Sequence, residues 1–346
     1  MISTENSLIF LETGSEDPAY NLAFEQFILE NRLHGNYLLF WQNDKTVVVG
    51  QNQNALEEID PDYVREHNIR VVRRMTGGGA VFHDLGNLNY SFITDAEDAE
   101  TRTKERFTAP IVRALCRLGL DAEASGRNDI LVSGKKVSGT AERIFHDRIL
   151  HHGTLLFDSD PELISRVLNP DPSKFASKSV KSVRSRIGNI RTELAAIGIS
   201  MTLGEFRQYL LLSFGVSRGS ARNPDDSGTA SGNSLLSPED YAAIRRLQAE
   251  KYSNDEWTYG RSPKYSYKNR RRFPGGSVEL RAEIIDGVIR ELHFYGDFLG
   301  QHPVEELEKA LSGTRFERSA VHAVLNHFQV SELFGMISAE EILSLF

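Results

Sequence analysis

Three consecutive glycines, Gly77, Gly78 and Gly79, restrict the local fold of this chain more than any other stretch of its sequence. Glycine loses more conformational freedom on folding than any other residue, so a run of three indicates that backbone comes close to another group. Arg73 and Arg74 precede the run and carry planar guanidinium groups that suit carboxylate and phosphate. The segment therefore predicts either a loop that binds an anion through backbone N–H groups, or a glycine-rich hairpin with solvated arginines.

The common phosphate-binding motifs do not match this sequence. A Walker A loop ending at Gly134 and Lys135 would need glycine where Asp129 stands and serine or threonine in place of Lys136. The dinucleotide fingerprint would need a third glycine in place of Phe82. A nucleotide that binds near the three glycines must therefore bind in another way.

Length and composition limit the class of protein. A chain of 346 residues, 40% hydrophobic and 25% charged, is typical of a globular protein with two domains. Its net charge of −8 argues against a general nucleic-acid binder. No apolar run approaches the ~20 residues of a membrane span, and the N-terminus does not resemble a signal peptide. We therefore expect a cytoplasmic protein that binds neither nucleic acid nor membrane.

The order of helix-like and strand-like segments predicts the fold class. Strands outnumber βαβ alternations, which favours an α/β (α+β) fold with a mixed, mainly antiparallel sheet flanked by helices. Helices are predicted at 17–33, with Asp17 as the N-cap, at 60–67, 107–118, 237–251, 304–311 and 318–328, and at 338–345, where Ser338 and Glu341 match a capping box. Strands are predicted at 37–41, 46–49, 69–73, 130–132, 136–140, 150–157, 278–284 and 288–294.

A change of composition suggests how the chain divides. Gly, Ser, Asn, Asp and Pro dominate residues 217–237, which predicts a flexible loop or linker. We expect residues 1–247 to form the larger domain with the main sheet. Residues 248–346 are expected to form a small α/β domain, in which Asp286 and Gly287 mark a type I′ hairpin.

A second cluster of polar residues surrounds a predicted hairpin turn at Ser133 and Gly134. Side chains alternate along a strand, so Lys135 and Lys136 must point to opposite faces. Either both lysines are solvated at the hairpin tip, or Lys136 reaches an anion bound at the glycines. Asn128 and Asp129 either form a turn or supply oxygen ligands to a magnesium ion that carries nucleotide phosphates.

The sequence also limits the roles of two adjacent histidines and of the single cysteine. His151 and His152 are neighbours on a predicted strand, so they face opposite sides, and we expect one of them to line a site rather than both to bind a metal. Cys116 is the single cysteine, which excludes an internal disulfide and a cysteine-based zinc site. It lies in a helical pattern, where we expect it to be buried and unsuited to nucleophilic attack.

Taken in order, several segments resemble the lipoate–protein ligases of the biotin/lipoate ligase superfamily. The most specific are Arg-Arg-Met-Thr-Gly-Gly-Gly at 73–79 and Lys-Val-Ser-Gly at 136–139. The stretch from Trp257 through the Phe273-Pro274-Gly275-Gly276 turn resembles the accessory domain of two-domain bacterial ligases. The matching segments are 21–23, 39–43, 47–54, 73–87, 126–141, 151–156 and 178–189.

The resemblance implies a two-step reaction in a catalytic domain at 1–247, with 248–346 as the accessory domain. Lipoate or octanoate would react with ATP to give the acyl-AMP, and the acyl group would pass to a lysine of a lipoyl-domain protein. ATP and Mg²⁺ would serve as substrate and cofactor, and no tightly bound prosthetic group is expected. The implied acceptors are apo lipoyl domains of 2-oxoacid dehydrogenase E2 subunits, the glycine-cleavage H protein, or both.

The resemblance also implies roles for individual residues. Lys136 would be catalytic, bridging the lipoyl carbonyl and the AMP phosphate. Asp129 would hold Mg²⁺. Lipoate and lipoyl-AMP would be bound by Arg73, Arg74, Thr76, Gly77, Gly78, Gly79, Ala80, Val81 and Phe82. ATP would be bound by Gly79, Ala80, Asn128 and Lys136.

Three further expectations come from the chain's own residues and from the family pattern. Trp41, residues 47–49, Val81 and Phe82 would line a slot for the apolar tail of lipoate. Residues 173–189 match the family's mobile loop over the adenylate, which would exclude water. The basic residues Lys264, Lys268, Arg270, Arg271 and Arg272 would either steer an acidic lipoyl domain or form a solvated loop.

Other functions remain open at this stage. An ATP-independent octanoyl- or lipoyltransferase of the same superfamily would carry the acyl group on a cysteine, for which Cys116 lies in the wrong place. A biotin–protein ligase would carry a Gly-Arg-Gly pattern instead of the sequence at 73–79. A non-catalytic protein that binds lipoyl-AMP or lipoyl domains would not need Lys136.

Overall fold

The structure of the protein is a computed structural model that describes residues 8–32, 34–96, 104–126, 128–168, 187–216, 235–259, 267–285 and 287–346. The predicted loop at 173–189 and the predicted linker at 217–237 fall largely outside these ranges, as do Lys264 and the turn residue Asp286.

Strands and helices alternate irregularly along the chain. The strands are β1 (Leu8–Glu12), β2 (Asn36–Trp41), β3 (Thr46–Val49), β4 (Arg70–Arg73), β5 (Val81–His83), β6 (Asn87–Asp95), β7 (Ala122–Ser125), β8 (Asp129–Val132), β9 (Lys135–Phe145), β10 (Arg148–Leu156), β11 (Tyr267–Phe273), β12 (Gly276–Ile285) and β13 (Val288–Gly296). The helices are α1 (Pro18–Asn31), α2 (Ala55–Glu58), α3 (Pro61–Glu66), α4 (Lys104–Arg117), α5 (Pro161–Val167), α6 (Ile190–Ala196), α7 (Leu203–Ser213), α8 (Pro238–Leu247), α9 (Asp255–Tyr259), α10 (Glu305–Leu311), α11 (Arg318–Leu325), α12 (Val330–Phe334) and α13 (Ala339–Leu343). A π-helical segment, Gln248–Tyr252, continues α8.

Seven strands form the main sheet in the order β1-β2-β6-β10-β9-β8-β7. β1 and β2 run parallel, whereas the other neighbouring strands run antiparallel. The mixed, mainly antiparallel sheet predicted from the order of elements is therefore confirmed. Sequence patterns missed β1, β6 and β7, and they ended α1 two residues late, whereas its cap is as predicted: the Asp17 carboxylate accepts from the N–H of Ala19.

Helices cover both faces of the main sheet. Its inner strands carry runs of apolar residues whose successive side chains point to opposite faces, so both faces are apolar. On one face, side chains such as Phe40 and Phe92 pack with Phe107 of α4 and Phe206 of α7. On the other face, α1 packs over the strands and α8 packs against α1. Helix α1 is buried along most of its length, which agrees with the apolar residues on more than one of its faces.

A second, three-stranded sheet carries the glycine run and lies against the α1 side of the main sheet. Its order is β4-β3-β5, with β3 parallel to β4 and antiparallel to β5. Val48 and Val72 of this sheet pack with α1, whereas Val47 and Val49 point to a separate apolar cluster that includes residues of α3 and α5. The three glycines connect β4 to β5, so both arms of this loop are fixed by pairing with β3.

The C-terminal part forms its own sheet and core. β11, β12 and β13 are antiparallel neighbours, and α10 to α13 pack on one face of them. The predicted capping box at the start of the last helix is present, with Ser338 and Glu341 bonded reciprocally. The basic residues at 268–272 lie in strand β11 and not in a loop, which corrects the second of the two alternatives given for them. The turn at 274–275 makes this strand one arm of a hairpin.

The C-terminal part contacts the rest of the chain at the glycine run. The backbone N–H of Gly78 donates to the carbonyl of Phe298, and the N–H of Gly296 donates to the carbonyl of Asn52. Tyr252, in the segment assigned to the accessory domain, is buried in the core formed with α1. The division of the chain at 247/248 stays a prediction.

Candidate functional site

A cavity lies between the α1 side of the main sheet and the three-stranded sheet of β3, β4 and β5. Its empty space is about 620 Å³, part of which opens to solvent. Apolar side chains and a few polar groups line it, as is typical of small-molecule sites. The lining residues are Leu22, Trp41, Val48, Arg74, Gly78, Gly79, Ala80, Val81, His83, Asn89, Asn128, Lys136, Gly139, Thr140, Ala141, His152, Gly153 and Thr154.

The Arg74 side chain supports the glycine loop, defined here as residues 76–79, through hydrogen bonds. Its guanidinium donates to the Thr76 hydroxyl (3.0 Å) and to the carbonyls of Gly77 (2.7 Å) and Gly79 (2.9 Å). A further bond reaches the Val48 carbonyl at 3.0 Å. Burial lowers the pKa of Arg74 to about 10, so the group stays charged at neutral pH. A fixed positive charge therefore stands directly behind the glycine loop.

Arg73 points away from the cavity and has a different role. Its side chain is 1% exposed and donates to the carbonyls of Gly50, Gln51 and Gln53 at 2.6 to 3.0 Å. It also donates to the carbonyls of Trp257 (2.9 Å) and Thr258 (2.6 Å). Arg73 thus ties the turn after β3 to helix α9, while its neighbour Arg74 faces the cavity.

The predicted hairpin of β8 and β9 presents Lys136 to the cavity. Ser133 (φ 49°) and Gly134 (φ 74°) both adopt left-handed backbone angles, as a two-residue type I′ turn requires. The Lys136 ammonium lies 2.7 Å from an Asp129 carboxylate oxygen, and its side chain remains 40% exposed. Lys135 points to the other face and pairs with Glu193 at 2.8 Å. The predicted opposition of the two lysines is therefore confirmed.

His83 lines the cavity as a neutral hydrogen-bond donor. Burial, the positive charge of Arg74 and the nearby His152 lower the pKa of His83 to about 3. Its Nδ1 lies 3.1 Å from the side-chain amide nitrogen of Asn43 and accepts from it. The proton of the neutral ring is therefore on Nε2, and this buried atom has no hydrogen-bond partner within the described part of the chain.

A buried hydrogen-bond chain runs from the glycine loop to α1. His152 bonds to the Thr76 hydroxyl through Nε2 (2.8 Å) and to the Glu25 carboxylate through Nδ1 (2.9 Å). The same carboxylate accepts from the Ser91 hydroxyl at 2.6 Å, and Ser91 accepts from the Trp41 indole at 2.9 Å. Because the Glu25 carboxylate can only accept, the Nδ1 of His152 carries the proton, and in the neutral ring Nε2 then accepts from the Thr76 hydroxyl.

The structure brings most of the sequence-predicted residues to this cavity, but not all of them. Phe82 points to the opposite face of β5, into the cluster that also holds Val47 and Val49. Thr76, Gly77 and Arg73 are not among the residues that line the cavity. Asp129 reaches the cavity through its pair with Lys136. The residues from the predicted lists that line it are Trp41, Val48, Arg74, Gly78, Gly79, Ala80, Val81, Asn128 and Lys136.

Sequence reasoning gave no role to His83, Glu25 or Asn89. His83 lies two residues after Val81 on β5, so strand alternation would have placed both on the cavity face and excluded Phe82. Of the two adjacent histidines, His152 lines the cavity, as expected for one of them. His151 lies on the other face, where it stacks on Phe107 and bonds to Glu142.

Two other expectations concern reactive groups. Cys116 is exposed on α4, so its predicted burial is wrong; it sits near the end of an amphipathic helix, where its Sγ meets the Ala122 carbonyl at 3.4 Å. It is not among the residues that line the cavity.

Within the described ranges, no cluster of three or more His, Cys, Asp or Glu side chains is arranged to hold a metal. The helices in those ranges are also too short or too polar to cross a bilayer.

Comparison with known proteins gives matches along almost the whole chain. The family model of the lipoyl protein ligase A/B catalytic domain matches residues 17–215, and that of the bacterial lipoate protein ligase C-terminus matches 262–346. Lipoate-protein ligase LplJ of Bacillus subtilis is 40% identical over 340 residues, covering 98% of this chain and 99% of its own. Lipoate–protein ligase 1 of Staphylococcus aureus is 38% identical, covering 95% and 96%.

Solved structures share the fold. LipL1 of P. falciparum, in complex with lipoate, covers 93% of this chain and 95% of its own, with a TM-score of 0.74 and 21% identity. A bipartite lipoate protein ligase studied with its E2 lipoyl domain from Thermoplasma acidophilum covers 77% and 100%, with a TM-score of 0.60 and 30% identity. A lipoate-protein ligase A bound with ATP covers 74% and 99%, with a TM-score of 0.59 and 29% identity.

Proposed function

This chain belongs to the lipoyl protein ligase A/B family, and from that membership we propose how its own residues carry out ligation. The protein is a ligase that activates lipoate, or octanoate, with ATP and transfers the acyl group to a lysine of lipoyl-domain proteins. One observation carries the assignment of this reaction to the cavity. Lys136 and the glycine loop, which Arg74 supports, both line the same cavity.

The reaction proceeds in two steps. A carboxylate oxygen of lipoate attacks the α-phosphorus of ATP, forming the acyl–phosphate bond as the bond to pyrophosphate breaks. The amine of the acceptor lysine then attacks the acyl carbonyl, AMP leaves with its phosphate oxygen, and the amine loses a proton to give the amide. Negative charge builds first on the α-phosphate and then on the acyl oxygen, so a fixed cation between these two places lowers both barriers.

We assign that cation to Lys136. Its ammonium reaches the cavity from β9 and lies 2.7 Å from a carboxylate oxygen of Asp129. Gly139 leaves room for it: a Cβ added there would lie 3.2 Å from Nζ. A phosphate or carboxylate entering the cavity offers the ammonium a second anionic partner, and this placement suits a bridge between acyl oxygen and AMP phosphate.

The apolar part of lipoate fits the wall formed by Trp41, Val48 and Val81. These side chains line the cavity together with Arg74, Gly78 and Gly79. Arg74 already donates to loop carbonyls, so we assign it the shape and charge of the loop rather than a direct bond to the carboxylate. Thr76 and Gly77 form the first half of the loop, and Arg73 and Phe82 lie in the two strands that flank it, β4 and β5.

ATP would occupy the part of the cavity bordered by Gly79, Ala80, Asn128 and Lys136. The Asn128 amide donates to the Thr140 carbonyl at 3.2 Å, which leaves its side-chain oxygen for the nucleotide. Asp129 is a single carboxylate at this position, and one carboxylate with substrate phosphates is a common donor set for Mg²⁺. The residues therefore fit the magnesium that accompanies ATP, which would add positive charge at the phosphates.

The acceptors and the location of the protein are also part of the proposal. We propose apo lipoyl domains of 2-oxoacid dehydrogenase E2 subunits, or the glycine-cleavage H protein, as acceptors, and the cytoplasm as the place of action. A relative of similar fold was studied with its E2 lipoyl domain, which supports the first class. An ATP-independent acyltransferase is the alternative, but it would use a cysteine, and Cys116 is not among the cavity-lining residues.

The first test is pyrophosphate release from ATP and magnesium by purified protein, with and without lipoate, before any acceptor is added. We expect lipoate-dependent release and a lipoyl-AMP product detectable by mass spectrometry. We expect Lys136→Ala to slow the release by about 10²-fold or more, because it removes the charge that stabilises the transition state. Lys135→Ala, at the next position on the same strand, is the matched control and should stay within about twofold.

Two outcomes would contradict the proposal. Equal rates for Lys136→Ala and the unmodified protein would remove Lys136 from the reaction. Acyl transfer from an acylated donor protein without ATP, together with no pyrophosphate release, would favour the transferase. Repeating the assay with an apo lipoyl domain present covers an enzyme that adenylates only when its acceptor is bound.

A further inference from the structure

Strand β11 carries four exposed cationic side chains within five residues, Lys268, Arg270, Arg271 and Arg272. It is an edge strand of the C-terminal sheet, bonded to β12 on one side. Strand alternation places Lys268, Arg270 and Arg272 on one face and Arg271 on the other. We call the first three side chains the basic row.

The basic row lies over a buried carboxylate of the neighbouring strand. Glu279 of β12 is the buried carboxylate beneath it, 3.2 Å from the Lys268 ammonium and 3.9 Å from the Arg270 guanidinium. Glu279 already pairs with Arg281, which is itself buried and lies over the Tyr295 ring. Glu279 is thus shared by Lys268, Arg270 and Arg281. Lys268 and Arg270 are exposed, so their charges can also attract an incoming anionic surface.

Acidic residues lie at the two ends of the same face. Glu283 and Glu291 face each other across β12 and β13, beyond Arg281. At the other end, the Asp297 carboxylate accepts from the backbone N–H of Ser277 at 2.6 Å. The positive charge is therefore concentrated along the edge strand itself, as a narrow row bounded by carboxylates.

The row begins beside the cavity. Arg272 donates to the Ser277 hydroxyl at 3.3 Å, and Ser277 bonds in turn to Asp297. A Cβ on Gly79, which lines the cavity, would lie 4.0 Å from the Cβ of Asp297. Arg270 and Lys268 follow outward along the strand at intervals of about 7 Å.

We propose that the basic row is a docking surface for an acidic face of the acceptor domain, whose lysine enters the neighbouring cavity. This inference rests on the proposed ligase function, because it requires a protein substrate. A complementary charge pattern speeds encounter and fixes orientation, and a row that leads to the cavity orients a partner toward it. The carboxylates at both ends of the row, with the chain's net charge of −8, favour a folded acidic partner over a long polyanion such as nucleic acid.

Cations on an edge strand also have a purely protective use, since they discourage pairing with another sheet edge. The two roles differ in whether cations on both faces of the strand, or on one face only, contribute. Protection of the edge would depend on Arg271 as well as Arg270, whereas docking on the face of the basic row would depend on Arg270 but not on Arg271. This difference supplies a control on the same strand.

The experiment measures binding of a fluorescently labelled apo E2 lipoyl domain of net negative charge to the full-length protein, by fluorescence anisotropy without ATP. Lys268→Gln/Arg270→Gln/Arg272→Gln is compared with Lys309→Gln/Arg315→Gln/Arg318→Gln, which removes three exposed cations elsewhere in the same part of the chain. Glu279 keeps Arg281 in the first variant, so we expect it to fold, and its thermal unfolding is recorded alongside.

At low salt we expect the row variant to bind about tenfold more weakly, while the control variant stays within about twofold. The difference should shrink at ~0.5 M salt, where screening shortens the reach of surface charges. Among single variants, Arg270→Gln should weaken binding more than Arg271→Gln.

Equal weakening by the two triple variants would overturn the proposal, because it would reflect net charge alone. So would unchanged binding of the row variant, or equal effects of Arg270→Gln and Arg271→Gln. A failure of the ligase function itself is seen separately, as the absence of lipoate-dependent pyrophosphate release by the unmodified protein. Binding is measured without catalysis, so the two failures are distinguishable.

Discussion

Neighbouring residues of the same type have different surroundings in this protein, because strands turn successive side chains to opposite faces. Arg74 faces the cavity, whereas Arg73 binds backbone carbonyls of two separate segments. Lys136 and Lys135 divide in the same way between Asp129 and Glu193. A substitution at one member of such a pair therefore has the other as a natural control.

The burial of His83 in the cavity lining predicts a dependence of stability on pH. The pKa of His83 is about 3 in the folded protein, against about 6.5 when unfolded, so between these values the unfolded chain binds an extra proton. The stabilisation is complete above pH 6.5 and is lost as the pH falls, at about 1.4 kcal/mol per unit. Between pH 6.5 and 5 we expect the unmodified protein to lose about 2 kcal/mol more unfolding free energy than His83→Gln.

Guanidinium unfolding followed by tryptophan fluorescence measures this difference, since Trp41 lies 6.0 Å from the His83 ring. His327→Gln, at an exposed position, controls for the loss of an imidazole ring. Parallel pH curves for the unmodified protein and His83→Gln would contradict the expected shift.

Sequence reasoning succeeded where a local rule fixes the answer. The turn at Ser133 and Gly134, the Asp17 cap and the opposition of Lys135 to Lys136 all follow from a few adjacent residues. It failed for residues 47–49 and Phe82, which were treated as one lining although strand alternation divides them. The bonds of Arg73 to α9 were beyond reach, because they join segments 184 residues apart.

At the scale of elements, the glycine loop is held by close backbone contact with the turn after β3. A Cβ on Gly50 would lie 2.1 Å from the Gly78 carbonyl oxygen and 3.3 Å from the Arg74 guanidinium. A Cβ on Gly77 would lie 2.6 Å from the Phe298 carbonyl. The glycines therefore allow backbone to approach backbone, in addition to any approach to a ligand.

Gly50→Ala should displace the glycine loop. The obstructing atom is a backbone carbonyl, so relief requires movement of the loop rather than of a flexible side chain. We expect a loss of about 2 kcal/mol or more in unfolding free energy and at least ~10-fold slower lipoate-dependent pyrophosphate release. Gly204→Ala on helix α7 is the control, where open space predicts unchanged activity and a gain of up to about 1 kcal/mol. Normal activity of Gly50→Ala would show that the loop tolerates the shift.

At the scale of the whole molecule, polar contacts join the C-terminal part to the cavity wall. Arg143 of β9 donates to the Gln51 side chain at 2.6 Å, and Gln51 donates to Glu305 of α10 at 2.9 Å. Burial lowers the pKa of Arg143, and the charge of Glu305 opposes this shift. The backbone N–H of Ile144 also donates to the Gln301 carbonyl.

Glu305→Gln should loosen this junction, because it removes a charge that compensates the buried Arg143 guanidinium. We expect a loss of about 1–3 kcal/mol in unfolding free energy. Amide hydrogen exchange at 296–301 should become faster in the same variant. Glu306→Gln, at the next and exposed position, should match the unmodified protein in both measurements. Indistinguishable results for the two variants would mean that Glu305 does not hold the parts together.

The two walls of the cavity differ in the sequence separation between the residues whose contacts form them. Asp129 and Lys136 meet across a two-residue turn, so their hairpin closes a short loop at small entropic cost. The opposite wall depends on Arg73 meeting Trp257, a contact of high contact order. We therefore expect the lysine hairpin to form early in folding and the wall that carries the glycine loop to be completed last.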